Sequence, residues 1–403
     1  MPERRIGVPQ IAHWPEMRLD SVCELISRGT APAYVDDSPI RVIGQRCVRE
    51  WGFDASATRG HDPRALNVLR AKTGDVLLNS TGAGTIGRSC VFGEVGDFVV
   101  DSHVTILRPA LAKINPRWME MLLRSPWGQR YLEAHCFTGS TNQVELSRSE
   151  LVSTVVPVPP VAEQRRIAEV LDAVDHQDAM LEACLKKKEV IVGGLISSLL
   201  DSVSSVESEL SSFLSGPPKN GYSPVEVDNW TGVKALGLSC LTPRGFRPVQ
   251  LKNVPSGDSR NRAAMLANGD LLISRANTRE LVGLAGIYRD VGAPCIYPDL
   301  MMRVTTSAQC LPEFLELQLL EGRVRRQIQA MAQGTSESMV KINSRTVMEL
   351  RVRIPELAEQ RRILGIVAAA RSEVESLYQE RQRLRLLKQG LADDLLTGRT
   401  KVA

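Results

Sequence analysis

The stretch Pro159-Pro160-Val161-Ala162-Glu163-Gln164-Arg165-Arg166-Ile167 returns as Pro355-Glu356-Leu357-Ala358-Glu359-Gln360-Arg361-Arg362-Ile363, at a constant spacing of 196 residues. The likeness runs without a gap to about Asp201 in the first copy and about Thr397 in the second. A repeat this long in a chain of 403 residues is a duplicated unit, not a solenoid. Alternating steps of four and three from Ile167 meet Leu171, Val174, Asp178, Leu181, Leu185, Lys188, Val192, Leu195 and Leu199. The same steps from Ile363 meet Val367, Ala370, Val374, Leu377, Arg381, Leu384, Lys388, Leu391 and Leu395. An apolar repeat of about 3.5 residues held this long is a coiled-coil pattern. Only Asp178 and Lys188 interrupt the first seam, and only Arg381 and Lys388 the second. Pro159 and Pro355 stand just ahead of each helix, where a missing N–H costs least. Glu163 and Glu359 put acid in the first turn, where the helix dipole favours it. Helices this long outrun a single small domain, so the two are expected to pair with each other.

The chain is long enough for two or three domains. Its 43% hydrophobic and 24% charged residues describe a globular protein. No apolar h-region follows Met1, and no run of 18 apolar residues occurs, so neither a secretory signal nor a membrane span is expected. The eight cysteines are scattered without a C-x-x-C pair, which points to a reducing cytoplasm and away from zinc or a disulfide framework. The net charge of +4 divides into +1 over residues 1–158, −3 over 159–205, +4 over 206–355 and +2 over 356–403. That excludes a nucleic-acid coat protein and leaves room for a DNA reader with arginines clustered on one face.

Residues 1–158 read as mixed α/β. Short apolar runs at 40–44, 75–78, 90–92 and 104–107 look like strands, and a helical pattern runs from 116 to about 133. Residues 206–355 repeat the order. Asn268-Gly269-Asp270-Leu271-Leu272-Ile273-Ser274 matches Thr73-Gly74-Asp75-Val76-Leu77-Leu78-Asn79, and residues 312 to about 331 repeat the helical pattern. Gly334-Thr335-Ser336 then matches Gly139-Ser140-Thr141 ahead of each long helix. The expected order is globule, helix, globule, helix, with boundaries at 1–158, 159–205, 206–354 and 355–403. The Ser- and Glu-rich residues 202–215 read as a solvated linker.

The duplicated P-x-x-x-E-Q-R-R-I start, the paired globules, the G-D-x-L strand in each and the small polar loop before each helix together resemble the specificity subunit of type I restriction–modification systems. The resemblance covers nearly the whole chain. It implies an α/β (α+β) fold of two mixed α/β target recognition domains separated by two long helices, which form an antiparallel coiled coil with pseudo-twofold symmetry. It implies binding of double-stranded DNA, two methyltransferase subunits and motor-nuclease subunits, with no cofactor and no active site of the chain's own. A helix of roughly 40 residues spans about 60 Å, and DNA advances about 34 Å per turn. Two heads on such a frame predict a bipartite target, and unlike globules predict unlike half-sites.

Gly82-Ala83-Gly84-Thr85-Ile86-Gly87 is a literal G-x-G-x-x-G after a strand. A cofactor fingerprint would need a helix next; Arg88-Ser89-Cys90-Val91-Phe92 is strand-like instead. The loop is expected beside DNA, with candidate contacts from Asn79, Ser80, Thr81 and Arg88, and from Ser274, Arg275, Asn277 and Arg279 at the equivalent place. Thr141, Asn142 and Ser336 add small polar groups suited to phosphate or base edges. Arg41, Gln45 and Arg46 match Arg244 and Arg247 in early position, and Arg and Gln are base-reading types. Ordinary turns and solvated strand faces would look much the same. The clusters Glu163-Gln164-Arg165-Arg166 and Glu359-Gln360-Arg361-Arg362 are expected to serve as matched partner contacts. The histidines show no metal spacing, and no Ser-His-Asp set, Walker loop or amino-methyltransferase motif is present. Two rival functions remain: a stand-alone S-adenosylmethionine-binding methyltransferase using residues 82–87, and a coiled-coil adaptor with two protein-binding heads.

Overall fold

The computed structural model describes residues 6, 14–139, 143–334 and 339–401. It is mixed α/β and divides into two compact units: residues 1–181 with 380–403, and residues 182–379.

In the first unit an antiparallel sheet runs in the order Ser89–Val91, Val76–Asn79, Val104–Pro109, Cys23–Arg28. Its central strand Val76–Asn79 is buried at every position, which is why it reads as a continuous apolar run and not an alternation. A second sheet has the order Tyr34–Val35, Arg59–His61, Arg41–Ile43, Phe98–Val100, Leu69–Arg70. There Phe98–Val100 lies parallel to Arg41–Ile43. Phe53, Phe92 and Phe98 meet edge to face at 5.1–6.1 Å and supply much of the core beneath this sheet.

The helical pattern expected from 116 to about 133 is broken at Ser125 into Pro116–Arg124 and Pro126–Tyr131. Proline forces the residue before it out of the helical region, and the Ser125 hydroxyl caps the new helix by accepting from the Gly128 N–H at 3.0 Å. Trp118 is fully buried, donates its indole N–H to the Pro157 carbonyl at 3.0 Å and meets Trp14 edge to face.

The second unit repeats this skeleton. Ala285–Ile287, Leu271–Ser274, Met301–Val304 and Lys219–Asn220 form the four-stranded sheet in the same order. Lys234–Leu236 lies parallel to Cys295–Ile296. The helices Pro312–Leu320 and Gly322–Met331 follow. The second break has no proline: the Glu321 carboxylate caps the Arg323 and Val324 N–H groups instead. Residues 202–215, expected to be a solvated linker, are largely exposed, yet the segment is anchored to the unit. Leu210 has no exposed surface, and Ser208–Glu209 pairs with Arg351–Val352, so the unit's core claims the segment through its buried leucine.

The long helices are Val161–Asp201 and Leu357–Leu396. Within the first unit, Ile167 and Leu171 share a core with Leu395 and Leu396. Within the second, Leu200 shares one with Ile363 and Val367. The seam's charged interruptions are cross-helix ion pairs. Asp178 receives Arg381 at 2.8 Å and Arg385 at 3.1 Å, Lys388 pairs with Asp175, and Lys188 pairs with Glu373. A polar position in an apolar seam fixes register at some cost in stability.

The glutamines of the repeated motif serve the fold. Gln164 has no exposed surface. Its Oε1 accepts from the Asn115 N–H at 2.7 Å, and its Nε2 donates to the carbonyls of Lys113 and Pro159 at 3.1 and 2.6 Å. Gln360 repeats the arrangement on Leu311, Gln309 and Pro355 at 2.7–2.8 Å. Each glutamine thus ties the first turn of a long helix to the loop that opens the globule's own helix.

Candidate nucleic-acid interface

The four-stranded sheet of the first unit delivers several polar side chains to one place, because antiparallel strands end and begin at the same edge. Arg28 closes one strand, Thr81 and Gly82 follow another, and His103 precedes a third. The turn Gln45–Cys47 arrives from the second sheet. Arg28, Gln45, Thr81, Gly82, His103, Gly139, Gln143 and Glu145 line a cleft of about 720 Å³. Gln45 and His103 also line an adjoining cleft of about 590 Å³, bordered by Arg46, Arg49, Arg59 and Asp101.

Several side chains are held in place. Arg28 donates to the Ser102 carbonyl and pairs with Glu145 at 3.0 Å, which holds the Glu145 carboxyl below its usual range. His103 faces Asp101, Nδ1 to Oδ2, at 3.3 Å. The Arg59 guanidinium lies over the Tyr34 ring at 3.5 Å. The Oε1 of Gln45 and the Oγ1 of Thr81 are buried without a hydrogen-bond partner among the described residues.

Gly82, Gly84 and Gly87 have φ of +99°, +75° and +82°. They serve a tight loop that returns directly to strand Ser89–Val91, with no helix for a dinucleotide phosphate to sit on.

The other candidates divide. Arg46 is exposed at the cleft. Arg41 spends its guanidinium on Thr58, at 3.0 Å to the hydroxyl and 2.9 Å to the carbonyl. Asn79 and Ser80 have no exposed surface, which corrects their expected contact with DNA. Asn79 donates to the carbonyls of Gln45 and Thr85, and Ser80 bonds Thr105. Arg88 approaches Glu50 at 3.5 Å.

In the second unit Ser274 is likewise fully buried. Arg244 reaches Glu189 and the Tyr378 hydroxyl, both at 2.7 Å, and Arg247 approaches Glu375 at 3.6 Å, so both arginines are turned to the long helices. Arg279 donates to the Gln329 and Ala332 carbonyls at the end of helix Gly322–Met331. Arg275 reaches the Asp299 carbonyl at 3.3 Å, and Asn277 sits half-buried in a short strand paired with Val340–Lys341. Thr141, Asn142 and Ser336 lie outside the described residues.

Of the clusters expected to meet partners, Gln164 and Gln360 are internal, as above. Arg165, Arg166 and Arg361 are exposed, Glu163 is half-buried, and Arg362 pairs with Glu359 at 2.7 Å. A second duplicated feature escaped the sequence pattern. Val190-Ile191 and Leu386-Leu387, again 196 apart, leave 57–76% of their surface exposed.

Sequence reasoning also missed Arg28, Tyr34, Arg59 and His103, which lie in strands and turns with no repeat to flag them. Among the described residues no group of His, Cys, Asp and Glu could hold a metal, and no helix is long and apolar enough to cross a membrane. Burial pushes the Cys90, Cys295 and Cys310 thiols up to about 12, so they pack as apolar groups.

The two units differ at the cleft. Backbone bonds fix the equivalence: Ser80 N–H to the His103 carbonyl matches Arg275 N–H to the Leu300 carbonyl, and Cys47 to Gly44 matches Cys240 to Gly237. Gln45, Thr81 and His103 of the first unit are therefore replaced by Leu238, Ala276 and Leu300 in the second.

Residues 12–190 match the family model described as type I restriction modification DNA specificity domain. Over 241 residues the chain is 25% identical to the type I restriction enzyme EcoKI specificity subunit of Escherichia coli K12, covering 55% of this chain and 51% of that protein. The match thus spans about half the length of that relative. Two solved structures share the fold. One, described as showing complex assembly and conformational transition of the type I R-M system, has a TM-score of 0.63 at 15% identity, covering 96% of this chain and 98% of the other. The other, the type I restriction-modification S subunit from M. genitalium, has a TM-score of 0.55 at 13% identity, covering 96% of each. Over residues 12–190, under half of its length, the chain thus resembles type I restriction–modification specificity subunits.

Proposed function

We propose that this chain is the non-catalytic, DNA-sequence-reading subunit of a type I restriction–modification complex, acting in the cytoplasm on a bipartite, asymmetric target in double-stranded DNA. Residues 1–158 and 206–354 are the two recognition domains, and 159–205 and 355–403 the spacer helices. The observation that carries this is one skeleton built twice with different side chains at equivalent cleft positions, Gln45, Thr81 and His103 against Leu238, Ala276 and Leu300. A pair of readers with unlike edges requires unlike half-sites.

Pairing of the spacer helices as an antiparallel coiled coil with pseudo-twofold symmetry is supported by the order of their ion pairs. In the first unit, partner numbers fall from Lys388 to Arg381 as the first helix advances from Asp175 to Asp178. Docking of two methyltransferase subunits, with motor-nuclease subunits beside them, is supported by the duplicated Val190-Ile191 and Leu386-Leu387 surfaces and by exposed Arg165, Arg166 and Arg361. Modification-sensitive sequencing of the host genome with and without this chain tests the function. A bipartite methylation motif that vanishes on deletion is expected; a methylome that keeps every motif overturns the reading.

A further inference from the structure

Several polar groups of the first unit's clefts are already committed. Arg28 is bound to Glu145 and to the Ser102 carbonyl, and the Oε1 of Gln45 and the Oγ1 of Thr81 are buried. His103 differs. Half of its side chain is exposed (51%), it lines both clefts, and its Nε2 has no hydrogen-bond partner among the described residues. Asp101, whose side chain is almost wholly buried, holds it in place. The Oδ1 of Asp101 accepts the His103 backbone N–H at 2.8 Å. Its Oδ2 lies 3.3 Å from Nδ1 of the ring and accepts from the Tyr34 hydroxyl at 3.4 Å. A carboxylate oxygen carries no hydrogen, so in the neutral imidazole the hydrogen belongs on Nδ1 beside it. Nε2 is thereby left as an acceptor.

We propose that His103, oriented by Asp101, reads the exocyclic amino group of one adenine or cytosine in the half-site of the first recognition domain. The assignment rests on the DNA-reading function above and deepens it. In the major groove adenine N6 and cytosine N4 are donors, whereas guanine O6 and thymine O4 are acceptors. The Nε2 lone pair accepts from the first two and sets acceptor against acceptor with the others. The second unit has no such pair. The Val104 N–H to Asp101 carbonyl bond matches the Met301 N–H to Pro298 carbonyl bond, so Pro298 and Leu300 stand where Asp101 and His103 do. The amino-group preference therefore belongs to one half-site alone. Asp101 is a positioning residue. In Asp101→Asn the His103 N–H still requires an oxygen at the Oδ1 place, so the amide nitrogen takes the Oδ2 place beside Nδ1. Nδ1 then becomes the acceptor, the ring hydrogen moves to Nε2, and the preference turns toward keto-bearing bases.

The test uses the full chain assembled with its methyltransferase subunits. Wild type, His103→Ala, Asp101→Asn and the control Leu300→Ala compete for duplexes that carry the methylome-defined target, altered at one base pair at a time. One set deletes a single exocyclic amino group, with purine for adenine and 2-pyrimidinone for cytosine. A second set exchanges adenine for guanine or cytosine for thymine. Which deletion tells, purine or pyrimidinone, distinguishes the two bases. For wild type, deletion at one base should cost roughly tenfold and the exchange roughly 10- to 100-fold. His103→Ala should lose both effects at that base alone, Asp101→Asn should prefer the exchanged duplex there, and Leu300→Ala should behave there as wild type. A His103→Ala chain that keeps every wild-type cost overturns the assignment. So does an Asp101→Asn chain that relaxes without inverting, or an equal loss on every duplex. If wild type itself yields no bipartite motif, the DNA-reading function fails, and not only this assignment.

Discussion

Asp178 places a carboxylate in a mostly apolar seam, and its removal has a calculable effect. About one fifth of its side chain is exposed (22%), and it receives Arg381 and Arg385 at 2.8 and 3.1 Å. Those bonds, with the Arg381 hydrogen bond foremost, lower its pKa from 3.8 to about 2. At about 1.4 kcal/mol per unit the shift amounts to about 2.5 kcal/mol, and solvent screening reduces it to about 1–2 kcal/mol. Because the folded pKa is depressed, this stability is fully present above pH 4 and is lost as pH falls through 2. Asp178→Asn keeps the volume and removes the charge. Urea unfolding followed by far-ultraviolet circular dichroism should show the variant less stable by about 1–2 kcal/mol at pH 7, with the gap closing toward pH 2. Equal midpoints at pH 7, or a gap that persists unchanged to pH 2, would refute the ionised pair.

Three further outcomes are expected. Gln164→Leu strands the Asn115 N–H and two carbonyls, so thermal unfolding should show a loss of about 1–3 kcal/mol, whereas exposed Arg165→Ala should change little. Burial raises the pKa of Glu316, whose Oε1 accepts from the Ile287 N–H at 2.9 Å. Its contribution is full below the ordinary carboxylate range and fades as pH rises through the raised value, so Glu316→Gln, which keeps the acceptor, should flatten the fall in melting temperature that calorimetry records as pH rises above the ordinary carboxylate range. Replacing both Leu386 and Leu387 by Glu should weaken methyltransferase capture by about tenfold or more, with the helix signal in circular dichroism unchanged; full capture would remove that surface from the interface.

The long helices were legible because a repeat of about 3.5 residues and a proline-led start are local properties of the chain. The duplication was legible because strand sequences such as Leu271–Ser274 and Val76–Asn79 are buried throughout and keep their apolar letters. The cleft was less so. Arg41, Arg244 and Arg279 look alike as letters, yet Thr58, the long helices and a helix terminus claim them, and nothing in a sequence states which acceptor lies opposite. The E-Q-R-R motif shows the same limit. Its repetition suggested a surface for partners, while its glutamines repeat because the same internal joint is built twice. His103 escaped notice because it sits in a short turn that only the sheet's edge brings opposite Gln45.

The charged pair in the seam also decides which helix each half accepts. Asp178 meets Arg381 and Arg385, whose counterparts 196 residues earlier are Leu185 and Glu189. Were the first helix to pair in this register with a copy of itself, the Asp178 carboxylate would face a leucine and a second carboxylate. Were the second helix to do so, Arg381 and Arg385 would face Val374, the counterpart of Asp178. Each self-pairing strands a charge or opposes two of like sign, whereas the pairing of unlike halves satisfies both. The duplicated sequence therefore discriminates against its own symmetric dimer, and the chain's two halves stay unlike within one molecule.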